Sequence, residues 1–486
     1  MGRFIERAAE LGRLQRVLAK VESGRAGRPG RAVLVRGARQ VGKSRLVEEF
    51  ARRAGVPYVF YSAARGAPDR QIRDFLSAGA ASGLPGASSL AGRSAGSWEE
   101  ALETMADAVP RDSPSLVVLD GLPLLLAGDP GLEGTLQVVF ARELSRRPVM
   151  LVLIGSDLAV MEAVNQPGRP FYMRAAELVV HPLTPAEVAT ALELPATEAV
   201  DAHLVSGGLP MICASWPDGL AVREYLRLAL DDPASALVVA GERVLAAELA
   251  PDAQARAVLD AVGAGLRTHS AIGRAVPEVP RASLNRALQL LVDRRLVAAD
   301  LPLGTRPSRE TRYRVAGTHL GFWLPFVGPR LPEIERGRGD LALARVLRSW
   351  DAWRGAAVTP LVRESLRRMP GLPRGTGEIG GYWTRTGDPE IDIVGTDRGP
   401  VGERITLVGA VTWREDRPFD RHDLSELIVR RSKLPGAGAG VPLLAVSRSG
   451  TTTAEVTLVT PGDLVAAWLP RESPPPGSAR PPGTAG

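Results

Sequence analysis

The sequence predicts an α/β protein in which a parallel sheet covered by helices is followed by further units. Five strand-like apolar runs alternate with helical or polar segments in the first part of the chain, which is typical of such a sheet. These runs are residues 32–35, 58–61, 116–119, 149–154 and 178–180. At 486 residues the chain is also too long for one hydrophobic core, so about three domains are expected.

The later patterns predict several further segments. A long stretch after the sheet carries no strand signal and predicts a helical lid. Three helical patterns then precede two strand-like pieces, which favours a winged helix-turn-helix. A second α/β region follows, with predicted helices at 341–353 and 358–368. The predicted segments are the core at 1–185, the lid at 186–250, the winged helix-turn-helix at 251–330, the second α/β region at 331–470 and a disordered Pro/Gly-rich tail at 471–486.

Composition limits the classes of partner. Arginine supplies nearly all of the 60 basic residues, and the formal net charge is +6. A GC-rich genome produces the same usage, so charge alone does not indicate nucleic acid.

Cys213 is the only cysteine, which excludes an intrachain disulfide. No apolar run approaches the ~20 residues of a membrane span, and no signal-peptide pattern is present. We therefore expect a cytoplasmic protein without a membrane partner.

One short motif departs from the arginine usage. Lys43, one of three lysines, lies in the pattern G-x-x-x-x-G-K-[ST] between a β-branched strand and a helix. In this pattern backbone amides surround the phosphates, the lysine reaches the β and γ oxygens, and the hydroxyl of Ser44 binds magnesium. The motif predicts a nucleotide, ATP with Mg²⁺, as the ligand. The predicted nucleotide-binding residues are Gly37, Ala38, Arg39, Gln40, Val41, Gly42, Lys43 and Ser44.

A carboxylate at the end of a neighbouring strand should complete the metal site. The apolar run 116–119 is followed by Asp120, which is the predicted magnesium partner of Ser44. Many ATPases of this broad type place a glutamate directly after that aspartate to polarise the attacking water, and this chain has Gly121 there. A general base contributes roughly 10²–10⁴-fold in rate, so slow turnover is expected unless another group acts. Asp157, which follows the strand-like run 149–154, is one candidate.

The order of these motifs resembles the archaeal-type ATPase family of AAA+-like, STAND-type P-loop NTPases. The resemblance rests on residues 4–11, the loop 37–46, the strand before Asp120, Gly155-Ser156, the run 169–174, residues 181–183 and the turn 206–210. It implies an AAA+-like sheet with a helical lid. It also implies that Ser156 senses the γ-phosphate and that Arg174 reaches phosphate or a neighbouring domain. A solvated surface arginine is the alternative for Arg174, because Met173 stands where the family has glycine.

The resemblance continues through the winged-helix region into a C-terminal domain of unknown function. That domain is similar to the restriction-endonuclease-like fold, in which a helix glutamate, a strand aspartate and a Glu-x-Lys pair bind a metal. Glu364 and Asp392 match the first two positions, whereas Ala410 and Thr412 replace the Glu and the Lys. The resemblance therefore implies a degenerate domain, and we predict no nuclease activity.

Two functions remain open. The first is an ATP-binding protein with weak hydrolysis that moves a winged-helix and nuclease-like C-terminal half. The second is a non-hydrolysing, nucleotide-gated DNA-binding regulator or scaffold, and a protein partner or homo-oligomer is compatible with either. DNA contact and protein packing are both common uses of winged helices, so this partner stays open. The residues that could contact DNA are Arg281, Asn285, Arg286, Arg294, Arg295, Arg306, Arg309, Arg312 and Arg314.

Overall fold

The computed structural model describes residues 4–23, 27–249 and 253–470, so the predicted tail at 471–486 lies outside the described residues. The helices are α1 Ala8–Glu22, α2 Lys43–Ala54, α3 Pro68–Ala80, α4 Trp98–Ala108, α5 Leu122–Gly128, α6 Leu132–Arg142, α7 Leu158–Val164, α8 Pro185–Leu192, α9 Ala196–Ser206, α10 Pro210–Ala214, α11 Val222–Asp231, α12 Ala236–Leu249, α13 Ala253–Gly263, α14 His269–Ala275, α15 Arg281–Asp293, α16 Thr318–Phe326, α17 Leu331–Glu335, α18 Gly339–Arg368, α19 Arg421–Lys433 and α20 Pro461–Ala466. The strands are β1 Arg31–Arg36, β2 Tyr58–Ser62, β3 Ser115–Asp120, β4 Val149–Gly155, β5 Ala175–Val179, β6 Val297–Asp300, β7 Arg312–Val315, β8 Glu378–Trp383, β9 Glu390–Thr396, β10 Ile405–Thr412, β11 Leu443–Ser447 and β12 Thr457–Val459.

The chain folds into two compact units, and each unit consists of two separate stretches of sequence. The first unit comprises Met1–Leu183 together with Leu209–Ser215, and the second comprises Thr184–Gly208 and Trp216–Gly486. The chain therefore passes from one unit to the other at three points. Most of the segment predicted as a lid belongs to the second unit, while the short helix α10 within it belongs to the first.

The first unit is built on a five-stranded parallel sheet with the strand order β2-β3-β4-β1-β5. Both faces of the sheet are apolar, as expected where helices cover each side. In β4, Leu151 and Leu153 belong to the core on one face, and Met150 and Val152 to the core on the other. Because the strands are parallel, all of their carboxyl ends lie at one edge of the sheet, so the loops that follow β1, β3 and β4 converge there.

The second unit contains the predicted three helices and hairpin. Helices α13, α14 and α15 are followed by β6 and β7, which pair antiparallel from Val297 opposite Val315 to Asp300 opposite Arg312. The assignment of this arrangement as a winged helix-turn-helix stays a prediction.

A second sheet, of order β12-β11-β10-β9-β8, lies in the C-terminal part of the second unit. Strands β8, β9 and β10 are antiparallel, and β10, β11 and β12 are parallel. Residues of α9 and α18 share one core with this sheet, for example Leu204, Val358 and Ile393. The predicted fold class, an α/β protein with a parallel sheet followed by a C-terminal α/β region, is confirmed.

Candidate nucleotide site

The predicted phosphate loop joins the end of β1 to the start of α2. Gly42 precedes the first helical residue, Lys43, and has a φ of 86°. This left-handed conformation favours glycine, because a side chain would strain the backbone there. The position is also crowded, since a Cβ atom at Gly42 would lie 3.3 Å from the ring of Pro210. The second glycine of the motif is therefore required by both the turn and its neighbour.

Lys43 is the most informative side chain of the loop. It is only 4% exposed, and its Nζ donates hydrogen bonds to the carbonyl oxygens of Gly37 (3.0 Å) and Ala38 (2.7 Å). Burial lowers the pKa of Lys43 to about 8, although the charge of Asp120 opposes this shift. An ammonium group held by two carbonyls in a buried loop lacks a full counter-charge, so an anionic phosphate is the ligand that fits it.

The remaining loop residues shape the turn around Lys43. Gln40 adopts a positive φ of 64°, and the side chain of Val41 is fully buried in the core below the sheet. The charge of Arg39 acts on Lys43 and disfavours its protonation, which places a second cation beside the loop.

Asp120 lies at the carboxyl end of β3, and Ser44 donates a hydrogen bond to its carboxylate. Burial raises the pKa of Asp120, while the Ser44 hydrogen bond and the charge of Lys43 oppose that rise. A hydroxyl and a carboxylate are oxygen ligands of the kind that Mg²⁺ prefers, so this pair fits the metal that the motif predicts. The structure thus brings together the predicted metal-binding residues.

Gly121 has a structural reason to be glycine. It precedes α5 with a φ of 90°, in the left-handed region. A Cβ atom there would lie 3.2 Å from the Cβ of Ala63, which follows β2. A glutamate at this position would therefore be strained in this backbone.

Three other predicted residues lie in or after the neighbouring elements. Ser156 and Asp157 directly follow β4, so they lie at the same edge of the sheet as Asp120. One carboxylate oxygen of Asp157 accepts a hydrogen bond from the backbone N–H of Val160 and caps α7. Arg174 is exposed just before β5, and its side chain makes no hydrogen bond or ion pair with the residues that the structure describes.

Two residues near the loop were missed by the sequence analysis. Arg7 is buried, and its guanidinium donates to the backbone carbonyls of Val41 and His181, both at 2.9 Å. It thereby ties the loop to the segment after β5. The ring of Pro210, at the start of α10, lies 3.3 Å from the place that a Cβ atom at Gly42 would occupy. Both residues belong to quoted motifs, but neither contact is local in sequence, and so nothing in the spacing indicates it.

The second predicted acidic site, in the C-terminal sheet, has different partners. Asp392 accepts a hydrogen bond from the backbone N–H of Val411 at 3.1 Å, and Arg363 donates to its main-chain carbonyl at 2.7 Å. Burial raises the pKa of Asp392, and the Val411 hydrogen bond and the charge of Arg363 oppose that rise. Glu364 is instead paired with Arg367 and Arg368 on its own helix.

The residues that replace the Glu and the Lys of the nuclease motif lie on β10. They are Ala410 and Thr412, and Thr412 is buried. In the part of the chain that is described, no cluster of three or more His, Cys, Asp or Glu side chains is suited to hold a metal ion.

Two arginines of the β6–β7 hairpin form ion pairs within the second unit. Arg312 pairs with Glu390 at 2.6 Å and stacks on the ring of Trp383, and Arg314 pairs with Asp300 at 2.7 Å. By contrast, Arg281, Arg306 and Arg309 are exposed and have no side-chain partner among the described residues. In the third helix, Asn285 is hydrogen-bonded to His269.

Comparison with protein families matches two parts of the chain. Residues 3–153 match the AAA ATPase domain family, and this range includes Lys43, Ser44 and Asp120. The N-terminal third of the chain is AAA-like. Residues 323–422 match a family described as archaeal and bacterial proteins of unknown function. The resemblance predicted from the motifs is confirmed for both parts, and no curated protein sequence matches the chain.

Several solved structures are similar to part of this chain. A Walker-type ATPase of Pyrococcus abyssi is 18% identical, with a TM-score of 0.46, and the alignment covers 66% of this chain and 96% of that one. The Orc1 protein of Aeropyrum pernix in complex with DNA is 18% identical, with a TM-score of 0.37 and coverages of 71% and 95%. The Orc2 protein of the same organism is 14% identical, with a TM-score of 0.41 and coverages of 71% and 96%.

Among the described residues, no helix is both long and apolar enough to span a membrane.

Proposed function

We propose that the chain binds Mg-ATP at the loop between β1 and α2 and hydrolyses it slowly. The observation that carries this proposal is the buried ammonium of Lys43, which is held by two loop carbonyls beside the Ser44–Asp120 pair. In the complex the phosphate oxygens would take the place of those carbonyls, and Ser44 and Asp120 would hold the magnesium. The metal would supply charge that stabilises the transferring phosphoryl group.

Four side chains and the N-terminus of α2 have proposed roles in binding the phosphates and in hydrolysis. Lys43 and the N-terminus of α2 bind the β and γ phosphates. Ser156 at the end of β4 contacts the γ-phosphate, and Arg174 is a second candidate for that contact. Asp157 has one carboxylate oxygen that no described N–H or O–H group contacts, so it is the candidate that orients the attacking water in place of the glutamate that Gly121 lacks.

The nucleotide state is proposed to reach the second unit through α10. The ring of Pro210 lies next to Gly42 of the loop, and the seven residues 209–215 belong to the first unit although the chain on either side of them belongs to the second. A shift of the loop on nucleotide binding would therefore displace α10 and pull on α9 and α11, which flank it. On addition of Mg-ATP, the rate of amide hydrogen exchange should change in residues 209–215 and in both flanking helices. Exchange rates that change only in the loop would contradict this coupling.

Single-turnover hydrolysis of radiolabelled Mg-ATP tests the proposed activity. We expect slow release of phosphate that is abolished in Lys43→Ala and reduced in Asp157→Asn. Lys20→Ala is the matched control, because Lys20 is exposed on α1. Tight binding without any turnover would favour the second candidate, a nucleotide-gated regulator.

A DNA partner for that regulator is supported by the exposed arginines of α15. Arg281 and Arg286 lie within the first two turns of this helix and are both exposed. If they contact phosphates, Arg281→Ala with Arg286→Ala should weaken duplex binding and reduce its salt slope by about 0.9 per lost contact. Arg16→Ala with Arg111→Ala removes the same charge from exposed positions of the first unit and is the control. Equal binding by both double variants would rule out this face.

A further inference from the structure

We infer that Glu48 is a second carboxylate of the magnesium site, which holds the hydration shell of the metal beside Asp120. This inference rests on the proposed function, because it assigns a further residue to the same nucleotide site. It assigns Glu48 the role of a positioning residue for the metal and leaves the orientation of the attacking water to Asp157.

The register of α2 places Glu48 on the same face as Ser44. The helix begins at Lys43, and Ser44 and Glu48 are four residues apart, so their side chains are neighbours about one turn from each other. Side chains in a helix lean toward its N-terminus, so the carboxylate of Glu48 leans back toward Ser44 and the phosphate end of the helix. Ser44 in turn contacts Asp120, and the negative charge of Glu48 acts on the carboxylate of Asp120. Glu48 is thus one turn from Ser44 along the helix, and its charge acts on Asp120.

Glu48 is free enough to take part in metal binding. Its side chain is 44% exposed, and its ion-pair partner is Arg45, whose Nη1 lies 3.4 Å away on an equally accessible part of the helix. An exposed pair of this kind contributes little stability, so it competes weakly with a divalent cation. The adjacent Glu49 differs, because it is buried and its carboxylate accepts short hydrogen bonds from Arg52 and Arg53.

The chemistry of magnesium fits this arrangement. Mg²⁺ keeps several waters when it is bound, and proteins contact it through one or two carboxylates together with the phosphates. A carboxylate one turn from Ser44 can accept hydrogen bonds from those waters without displacing them. Without a cation, two carboxylates close together repel each other, and the metal removes that repulsion.

The experiment compares ATP affinity in EDTA with ATP affinity in saturating Mg²⁺, by calorimetry on the full chain. The ratio of the two dissociation constants measures what the metal adds to nucleotide binding. Loss of an outer-shell partner of a metal typically reduces metal affinity about 10–100-fold. We therefore expect Glu48→Gln to reduce the ratio about tenfold or more and to leave the affinity in EDTA unchanged. Glu48→Asp, which keeps the charge, should restore part of the ratio.

Glu103→Gln is the matched control, because Glu103 is an exposed glutamate on α4 and should keep the wild-type ratio. A wild-type ratio in Glu48→Gln would overturn the inference. Equal losses with and without metal would also overturn it, since they indicate a structural role for Glu48. If the wild-type protein binds no ATP, or if Lys43→Ala binds it equally well, the proposed function fails, and that result is distinct from a failure at Glu48 alone.

Discussion

Asp120 and Asp392 are both strand aspartates whose pKa is raised by burial, but their neighbours differ in kind. Asp120 faces a hydroxyl and a lysine ammonium, which are groups that can turn toward a metal and a phosphate. Asp392 faces a backbone N–H and lies beside the guanidinium of Arg363, which remain in place. A carboxylate becomes useful for metal chemistry only when its neighbours can be exchanged for the ligand, and this condition separates the two sites.

The largest expected difference between the two sites is in metal-dependent ATP affinity. Asp120→Asn should remove most of what Mg²⁺ adds to ATP binding, roughly 100-fold, because it removes a carboxylate next to the metal. Asp392→Asn should leave that gain unchanged. Calorimetry in Mg²⁺ and in EDTA measures both effects, and equal losses in the two variants would show that the comparison is wrong.

The next effect concerns stability around Asp392. Arg363→Met should lower the free energy of unfolding by about 2 kcal/mol at pH 7, because it removes the cation whose charge most favours the ionised form of this buried carboxylate. The folded-state pKa of Asp392 is already raised, and removing Arg363 raises it further. Lowering the pH through that pKa protonates Asp392 and should reduce the difference from wild type.

Denaturant unfolding at pH 7 and at an acidic pH where the wild type is still folded measures this effect. The double variant Arg363→Met with Asp392→Asn should recover most of the loss, since the unpaired charge is then absent. A loss that is equal at both pH values and is not recovered would indicate that Arg363 acts through packing alone.

A smaller effect is expected from the titration of Lys43. Its pKa in the free protein is about 8, and phosphate favours the protonated form. ATP affinity should therefore be greatest below pH 8 and fall about tenfold between pH 7 and pH 9, as the free lysine loses its proton. For the free protein the sign is opposite, since a lysine whose folded pKa is lowered makes the fold more stable as the pH rises from about 8 toward 10.5.

Calorimetry across this pH range checks the profile. Lys43→Arg is the control, because arginine does not titrate there and its weaker affinity should stay flat. A wild-type affinity that does not change between pH 7 and pH 9 would contradict the burial of Lys43 in the free loop.

The smallest expected effect is in DNA cleavage. Neither wild type nor Asp392→Ala should nick supercoiled plasmid in Mg²⁺ or Mn²⁺, because the Glu-x-Lys positions are Ala410 and Thr412. Cleavage by the wild type that disappears in Asp392→Ala would restore the nuclease interpretation of the C-terminal sheet.

Local sequence patterns predicted the main elements of the first unit. The three inner strands β3, β4 and β1 are continuous apolar runs buried on both faces, and the phosphate loop follows β1 while Asp120 ends β3. The three helices before the hairpin likewise have clear apolar faces, such as Leu284, Leu288 and Leu291 in α15. Where the signal is contiguous, the sequence analysis and the structure agree on the elements.

The features that the sequence analysis did not predict depend mainly on packing between residues that are far apart in the chain. The helices expected at 341–353 and 358–368 are one helix, α18, which continues through Pro360 because residues such as Val358 and Leu366 are buried in a shared core. Strand β8 contains Gly380 and Gly381, and this pair hides its strand pattern. The contact between Pro210 and Gly42 joins residues that are far apart in the chain, and no local pattern indicates it.

The central claim is that Lys43 holds a nucleotide phosphate, and calorimetric titration of Mg-ATP into the wild type, Lys43→Ala and Lys20→Ala tests it most directly. We predict saturable binding at one site in the wild type and in Lys20→Ala, and roughly 100-fold weaker binding in Lys43→Ala, since charge-assisted hydrogen bonds to a buried group are lost. No binding by the wild type, or equal binding by all three proteins, would contradict the account.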